Sequence, residues 1–150
     1  MGALAAFGLV GGHAPLQRLQ VNLAAGNPQR LLHALATPDT CLLVDCLTLW
    51  LSNLLFAGQA AAQAEAGDAI DCPLFREQTT ALIDTLPQLP GHVILVSNEV
   101  GWGIVPMHPV SRLFTDEQGR LNQRVAAVCD QVTLVAAGLP VTLKAPLASA

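Results

Sequence analysis

The sequence predicts an α/β layer fold with a mostly parallel sheet. Three observations predict it. Two short apolar runs, at 40–45 and 92–98, are bounded by turn residues; one-sided helical stretches lie between and after them; and the chain closes on two β-rich runs joined through glycine and proline. Buried parallel strands read as near-continuous Val, Ile and Leu, as both runs do. No internal repeat or linker divides the chain, so residues 28–150 are expected to form a single domain behind a poorly readable segment at 1–27.

Residues 1–27 are dominated by Gly, Ala and Leu and hold no period. In "NPQRLLHALAT" (27–37), Asn27 is a good cap, Pro28 suits a first turn, and Leu31, Leu32 and Leu35 form a stripe; a short helix is expected. "TCLLVDC" gives a buried strand at 40–45. From 47 to 58, Leu47, Trp50, Leu51, Leu54 and Leu55 recur at helical spacing before Gly58, which predicts a second helix. The Ala-rich stretch after it, broken by Gly67 and Pro73, reads as a surface connection or a frayed helix. Residues 74–89 place Leu74, Phe75, Leu82, Ile83 and Leu86 on one side of a helix that Pro87 closes. "HVILVSN" is the second buried strand. Residues 111–130 supply helix with a break near Gly119. "QVTLVAAGLPVTLK" predicts two strands joined by Gly138-Leu139-Pro140, a hairpin that adds one antiparallel edge strand.

Apolar residues make up 52% of the chain and charged residues 12%, so much of the surface must itself pack against something, and a subunit interface is expected. A net charge of −4 with no basic run argues against nucleic acid as a partner, as does the lack of any aromatic cluster. Cys41, Cys46, Cys72 and Cys129 form no CxxC pair and no metal spacing; three sit in or beside apolar segments and read as small buried thiols, which fits a reducing cytoplasm. The apolar opening lacks a basic leader and is too short to span a bilayer, and Asp45 and Asn53 interrupt the apolar run at 41–56. A cytoplasmic protein without a membrane span is expected.

Ligands of α/β sheets sit beyond the carboxyl ends of the strands. Asp45 ends one strand, where a carboxylate can hold Mg²⁺ beside nucleotide phosphates; a helix cap or turn residue is the plainer alternative. Asn98 and Glu99 lie at the matching end of the second strand, and Gly101 and Gly103 then flank Trp102. The glycines would allow backbone angles closed to other residues, or close approach of a ligand. The plainer alternative is that Glu99 caps a turn and Trp102 fills a gap in the core. Arg120 and Arg124 share a helix face at i, i+4 spacing, with Asn122 and Gln123 between them; this suits a phosphate or carboxylate, or simply water. The histidines are scattered, with no Ser-His-Asp arrangement among them.

Taken together, "LLVDCLTLWLSNLL", "VILVSNEVGWGIVP" and "GRLNQRVAAVCDQVTLVAAGLPVTLK" resemble the bifunctional adenosylcobinamide kinase / adenosylcobinamide-phosphate guanylyltransferase family of cobalamin biosynthesis, over roughly residues 28–145. The resemblance implies a P-loop NTPase-like (RecA-like) sheet and a homotrimer. It implies that GTP or ATP, with Mg²⁺, phosphorylates adenosylcobinamide. GTP then guanylylates a histidine of the enzyme, and GMP passes to the substrate phosphate to give adenosylcobinamide-GDP. On this resemblance Asp45 matches the acid near the nucleotide and metal. Asn98 and Glu99 match the polar pair of the second strand, and Asn122, Gln123 and Arg124 match the "NQR" helix, while Gly101 and Gly103 would turn the chain around the cleft. His13 stands at about the distance expected of the guanylylated histidine, without the arginine-rich surroundings expected there.

The family's Gly-rich loop with Gly-Lys-Ser, which cradles phosphates, has no counterpart in these residues. The one lysine is Lys144, and "GLVGGH" (8–13) has glycines but no Lys-Ser. The chain therefore reads as N-terminally shortened or frame-shifted, joined to an intact body, with its sheet incomplete at the N-terminal side. Negligible activity alone and poor solubility are expected. The alternative expectations are a non-catalytic subunit that joins intact copies and a generic Mg²⁺-dependent P-loop-like ATPase.

Overall fold

The computed structural model describes residues 17–23, 27–57, 59–68 and 70–145, together with the backbone course of 3–9. Six strands form one sheet: β1 (Ala3–Leu9), β2 (Gln17–Val21), β3 (Thr40–Asp45), β4 (His92–Glu99), β5 (Gln131–Ala136) and β6 (Leu139–Lys144), in the spatial order β2-β3-β4-β1-β5-β6. Neighbours β2, β3 and β4 are parallel. β1 is antiparallel to both β4 and β5, so β5 runs in the same direction as β4. Four strands thus share one direction, and β6 closes the edge antiparallel to β5, as expected for the terminal hairpin. Residues 1–27, unreadable by periodicity, supply two strands, one of them central.

The helices are α1 (Pro28–Leu35), α2 (Leu47–Ala57), α3 (Ala60–Ala66), α4 (Pro73–Thr85) and α5 (Pro109–Val128), with a 3-10 turn at Leu86–Gln88. Local chemistry accounts for their ends. The Asn27 carboxamide oxygen accepts from the Arg30 N–H at 3.1 Å, and Pro28 opens the helix where no donor is needed. Within the Ala-rich stretch, α3 is a genuine short helix, closed by Gly67 in the left-handed region at φ 74°.

Two local expectations need correction. α5 runs unbroken through Gly119, because a glycine costs a helix only about 1 kcal/mol and the packed residues Gln118, Leu121, Asn122 and Val125 continue on both sides of it. The hairpin turn lies at Ala137-Gly138, both at positive φ (53° and 79°), rather than at Gly138-Leu139-Pro140. That pair suits the right-handed twist of the flanking strands. Leu139 and Pro140 begin β6, where an edge strand tolerates the missing N–H of proline.

The core lies on one side of the sheet. Leu42 and Val44 of β3, Val93 and Leu95 of β4 and Val132 of β5 are buried against Trp50, Leu51 and Leu54 of α2, Leu82 of α4 and Leu121 and Val125 of α5. Side chains alternate along a strand, so Leu43, Ile94 and Val96 point to the other face, and Ile94 is exposed there. The hairpin is tied back to the helical layer by Lys144, whose Nζ donates to the Ala126 and Ala127 carbonyls at 3.1 Å each. These belong to the last turn of α5, whose carbonyls have no donors of their own, and the ammonium also answers the negative end of the helix dipole. The next residue after α5, Cys129, is buried, and burial pushes its thiol up to about 11, an effect that Lys144 opposes and Asp130 reinforces.

Two outcomes follow from this packing. A Cβ built on Gly91 (φ +78°) would stand 2.3 Å from the Thr37 carbonyl oxygen and 2.6 Å from that of Thr40. Gly91→Ala is therefore expected to cost about 2 kcal/mol or more in urea unfolding, whereas Gly138→Ala, with open space around it, costs less. The second outcome concerns alkaline pH. The unfolded Cys129 thiol ionises near its ordinary value of 9.0 and the folded one near 11, so its contribution to stability is complete below pH 9 and is lost as pH rises through about 11. The chain has no tyrosine to titrate in that window. The thermal midpoint should fall between those values, and Cys129→Ala should reduce the slope.

Candidate functional site

The carboxyl ends of β3 and β4 lie side by side, with Asp45 paired to Val96 in the parallel register. Asp45 is exposed, and the peptide bond that follows it is cis. β4 extends through Glu99, so strand alternation governs the polar pair at its end. Asn98 projects to the same side as Asp45, while Ser97 and Glu99 project to the helix-covered side. The two residues adjacent in sequence are therefore divided between faces. The Asn98 N–H donates to Thr48 Oγ1 at 2.9 Å, which fastens the end of β4 to the first turn of α2.

Beneath Glu99 lies a buried polar cluster that links β4 to α5. Ser97 Oγ donates to Asn122 Oδ1 at 2.7 Å. Gln118 Nε2 donates to Ser97 Oγ at 2.9 Å and to Asn122 Oδ1 at 3.0 Å. Asn122 Nδ2 in turn donates to the Asn98 carbonyl at 3.1 Å. All three side chains are buried, and Gln118 Oε1 has no hydrogen-bond partner among the described residues. Such a cluster fixes both the rotation of α5 and the end of β4, because unpairing any buried member costs about 1–3 kcal/mol. Sequence reading found Asn122 but missed Ser97 and Gln118. Their signal was available: Ser97 continues the inward series Val93, Leu95, and Gln118 stands one helical turn before Asn122.

Glu99 Oε1 accepts from the Gly101 N–H at 2.9 Å, so the carboxylate does cap the following turn. The same residue lines a pocket of about 280 Å³ with Trp102, Asn122 and Gln123, backed by Ala126, Val132, Leu134 and Leu143. Trp102 is 68% exposed and fills no core gap. Neither Gly101 nor Gly103 has a positive φ, so the bend does not rely on glycine-only angles. Gly101 instead leaves room for the carboxylate: a Cβ there would sit 3.0 Å from Glu99 Oε1. Beyond the bend, Ile104 and Met107 are 97% and 93% exposed.

The remaining candidates lie elsewhere. Arg124 Nη2 donates to Thr80 Oγ1 at 3.2 Å, which turns it toward α4. Arg120 is paired with Glu117 and lines a separate cavity of about 540 Å³ beside Arg76 and Arg112. His13 lies outside the described residues. Among the described residues no cluster of three or more His, Cys, Asp or Glu is positioned to hold a metal.

Comparison with known proteins brings in a family. The family described as cobinamide kinase / cobinamide phosphate guanyltransferase matches residues 19–143. The chain is 44% identical over 113 residues to a bifunctional adenosylcobalamin biosynthesis protein, CobP, of Pseudomonas aeruginosa. It is 40% identical over 120 residues to the corresponding protein, CobU, of Salmonella typhimurium, and 37% identical over 116 residues to that of Escherichia coli. The matches cover 75–76% of this chain but only 58% of the first relative and 64% of the other two, so the chain spans about three fifths of the length of each.

Asn122→Ala leaves Ser97, Gln118 and the Asn98 carbonyl without a shared partner. It should lower unfolding free energy by about 2–3 kcal/mol in urea titration. The exposed neighbour provides the control: Gln123→Ala should stay within about 0.5 kcal/mol of the parent chain.

Proposed function

The chain belongs to the cobinamide kinase / cobinamide phosphate guanyltransferase family, and from that premise we propose that its site serves the phosphorylation of adenosylcobinamide and the transfer of GMP from GTP that yields adenosylcobinamide-GDP. One observation carries this reading. The matched stretch places Asp45, Asn98 and Glu99 at neighbouring strand ends, with Asn122 and Gln123 of α5 beside them. Strand ends of this kind are where α/β sheets bind nucleotides.

Asp45 is the residue that would hold Mg²⁺. A single exposed carboxylate suits an ion that keeps water and phosphate oxygens as its other ligands. The ion would supply charge neutralisation on the phosphates. Asn98, on the same face, offers an amide to orient a bound phosphate or hydroxyl. Glu99 and Gln123 take the opposite face, where Trp102 and the aliphatic wall limit access of water. Asn122 positions these groups from below. Arg124, held by Thr80, positions α5 against α4. We place the protein in the cytoplasm as a homotrimer; the exposed Ile104, Val105 and Met107 give such an assembly apolar surface to bury. No helix among the described residues is long and apolar enough to cross a membrane.

A second reading, a non-catalytic subunit among intact copies, is favoured by β1. Phosphate-binding loops of the P-loop type follow the carboxyl end of a parallel strand and lead into a helix. β1 runs the other way: Ala3 lies beside Glu99 and Leu9 beside Val93, so the chain leaves β1 at the end of the sheet opposite Asp45. The one lysine is engaged at the end of α5. Phosphoryl transfer depends on positioning and charge stabilisation, and no phosphate cradle is present among the described residues.

The test is direct. Purified chain, assayed with adenosylcobinamide and GTP or ATP, is expected to show negligible phosphorylation and guanylylation. Native mass spectrometry of the chain mixed with the Pseudomonas relative is expected to show mixed trimers. Rapid GTP turnover by the chain alone would overturn the non-catalytic reading, and failure to bind adenosylcobinamide in any assembly would overturn the family function.

A further inference from the structure

We propose that the pocket between β4, α5 and the β5–β6 hairpin is a guanine-base site in which Glu99 selects guanine over adenine. This rests on the proposed function only in taking a nucleotide as the ligand class. The pocket, about 280 Å³, has one acidic wall and one aromatic wall. The Glu99 carboxylate accepts one bond, from the Gly101 N–H to Oε1 at 2.9 Å. An ionised carboxylate has about four acceptor positions and no donor, so it seeks further donors from whatever enters. Guanine presents two adjacent donors, N1–H and the N2 amino group, which match the two oxygens of a carboxylate. Adenine would turn a bare ring nitrogen toward the same oxygens, lone pair against lone pair.

The remaining walls suit a flat heterocycle. Trp102, 68% exposed at the mouth, offers a face for stacking, and Val132, Leu134 and Leu143 provide an apolar back wall. Gln123, exposed at the rim, carries an amide able to donate to the O6 or N7 acceptors of guanine. Asn122 is engaged with Ser97, Gln118 and Asn98, so it shapes the wall rather than reading the base. A site built to satisfy a donor edge rejects an analogue lacking it, because its own polar groups are then left unpaired.

Guanosine and adenosine are the probes, since neither needs a phosphate cradle, and the unmodified 150-residue chain is the sample. Binding is read by calorimetry and by tryptophan fluorescence. Trp50 is fully buried and Trp102 exposed, so a base that stacks in the pocket quenches the solvent-exposed emission component. Guanosine should bind more tightly than adenosine and quench. Trp102→Phe should remove the quench while the heat of binding remains. Glu99→Gln, which exchanges an acceptor for a donor, should weaken guanosine by about tenfold or more and erode the preference. Equal affinity for the two nucleosides, no guanosine binding at millimolar concentration, or guanosine affinity unchanged in Glu99→Gln would each overturn the proposal. Adenosylcobinamide binding, measured separately, reports on the wider function. If the corrinoid binds and guanosine does not, the pocket assignment falls and the function stands; the reverse pattern supports the pocket and sinks the function.

Discussion

The hydrogen bonds that join Ser97, Gln118 and Asn122 are the constraint on which the site depends. Hydrophobic contact between a sheet and a helix is tolerant of small rotations and slides, because apolar burial has no direction. A buried amide and hydroxyl have direction, and each must meet its partner or forfeit a hydrogen bond it would have had in water. With Asn122 bonded to both the Ser97 side chain and the Asn98 backbone, α5 has one rotation and one height relative to β4. Everything above that link, from the Glu99 carboxylate to the bend at Trp102, takes its place from it.

That link also explains how the two faces of the sheet differ. On the helical side, the end of β4 carries a capped carboxylate above a fixed floor. On the other side Asp45 and Asn98 look outward from a layer whose residues, Leu43, Ile94 and Val96, are only partly covered. Two neighbouring positions in the chain thus serve two environments, one with a pocket already formed and one open. β1 completes the sheet between β4 and β5 in the antiparallel sense, which satisfies the backbone ladders of both neighbours while directing the chain away from the strand ends where Asp45 sits.

The elements with local signals were legible in the sequence. Asn27-Pro28 announced α1, the Leu and Trp spacing announced α2, and the runs at 40–45 and 92–98 announced β3 and β4. What escaped was non-local. β1 is drawn from a stretch of Gly, Ala and Leu whose pairing partners β4 and β5 lie far along the chain, and β2, QRLQV, has only two apolar residues to mark it. Gly119 suggested a break because its intrinsic preference is visible in sequence, whereas the packing that overrides it is not. Of the site, Asp45, Glu99, Asn122 and Gln123 were recognisable through their surrounding motifs. Ser97 and Gln118 were not, since a polar residue at an inward position reads as noise until its partner, more than twenty residues away, is known. The division of Asn98 from Glu99 follows from the strand running through Glu99, one residue further than the expected run at 92–98.

Lys144 has one further consequence. Its amine is docked on the end of α5, and the other six basic side chains are all arginine. Guanidinium stays protonated at any pH the fold would meet, and it is a weakly hydrated, planar cation that pairs and stacks where an ammonium stays in water. The chain's lysine and arginine charge is thus carried by six guanidiniums and a single ammonium that is already engaged.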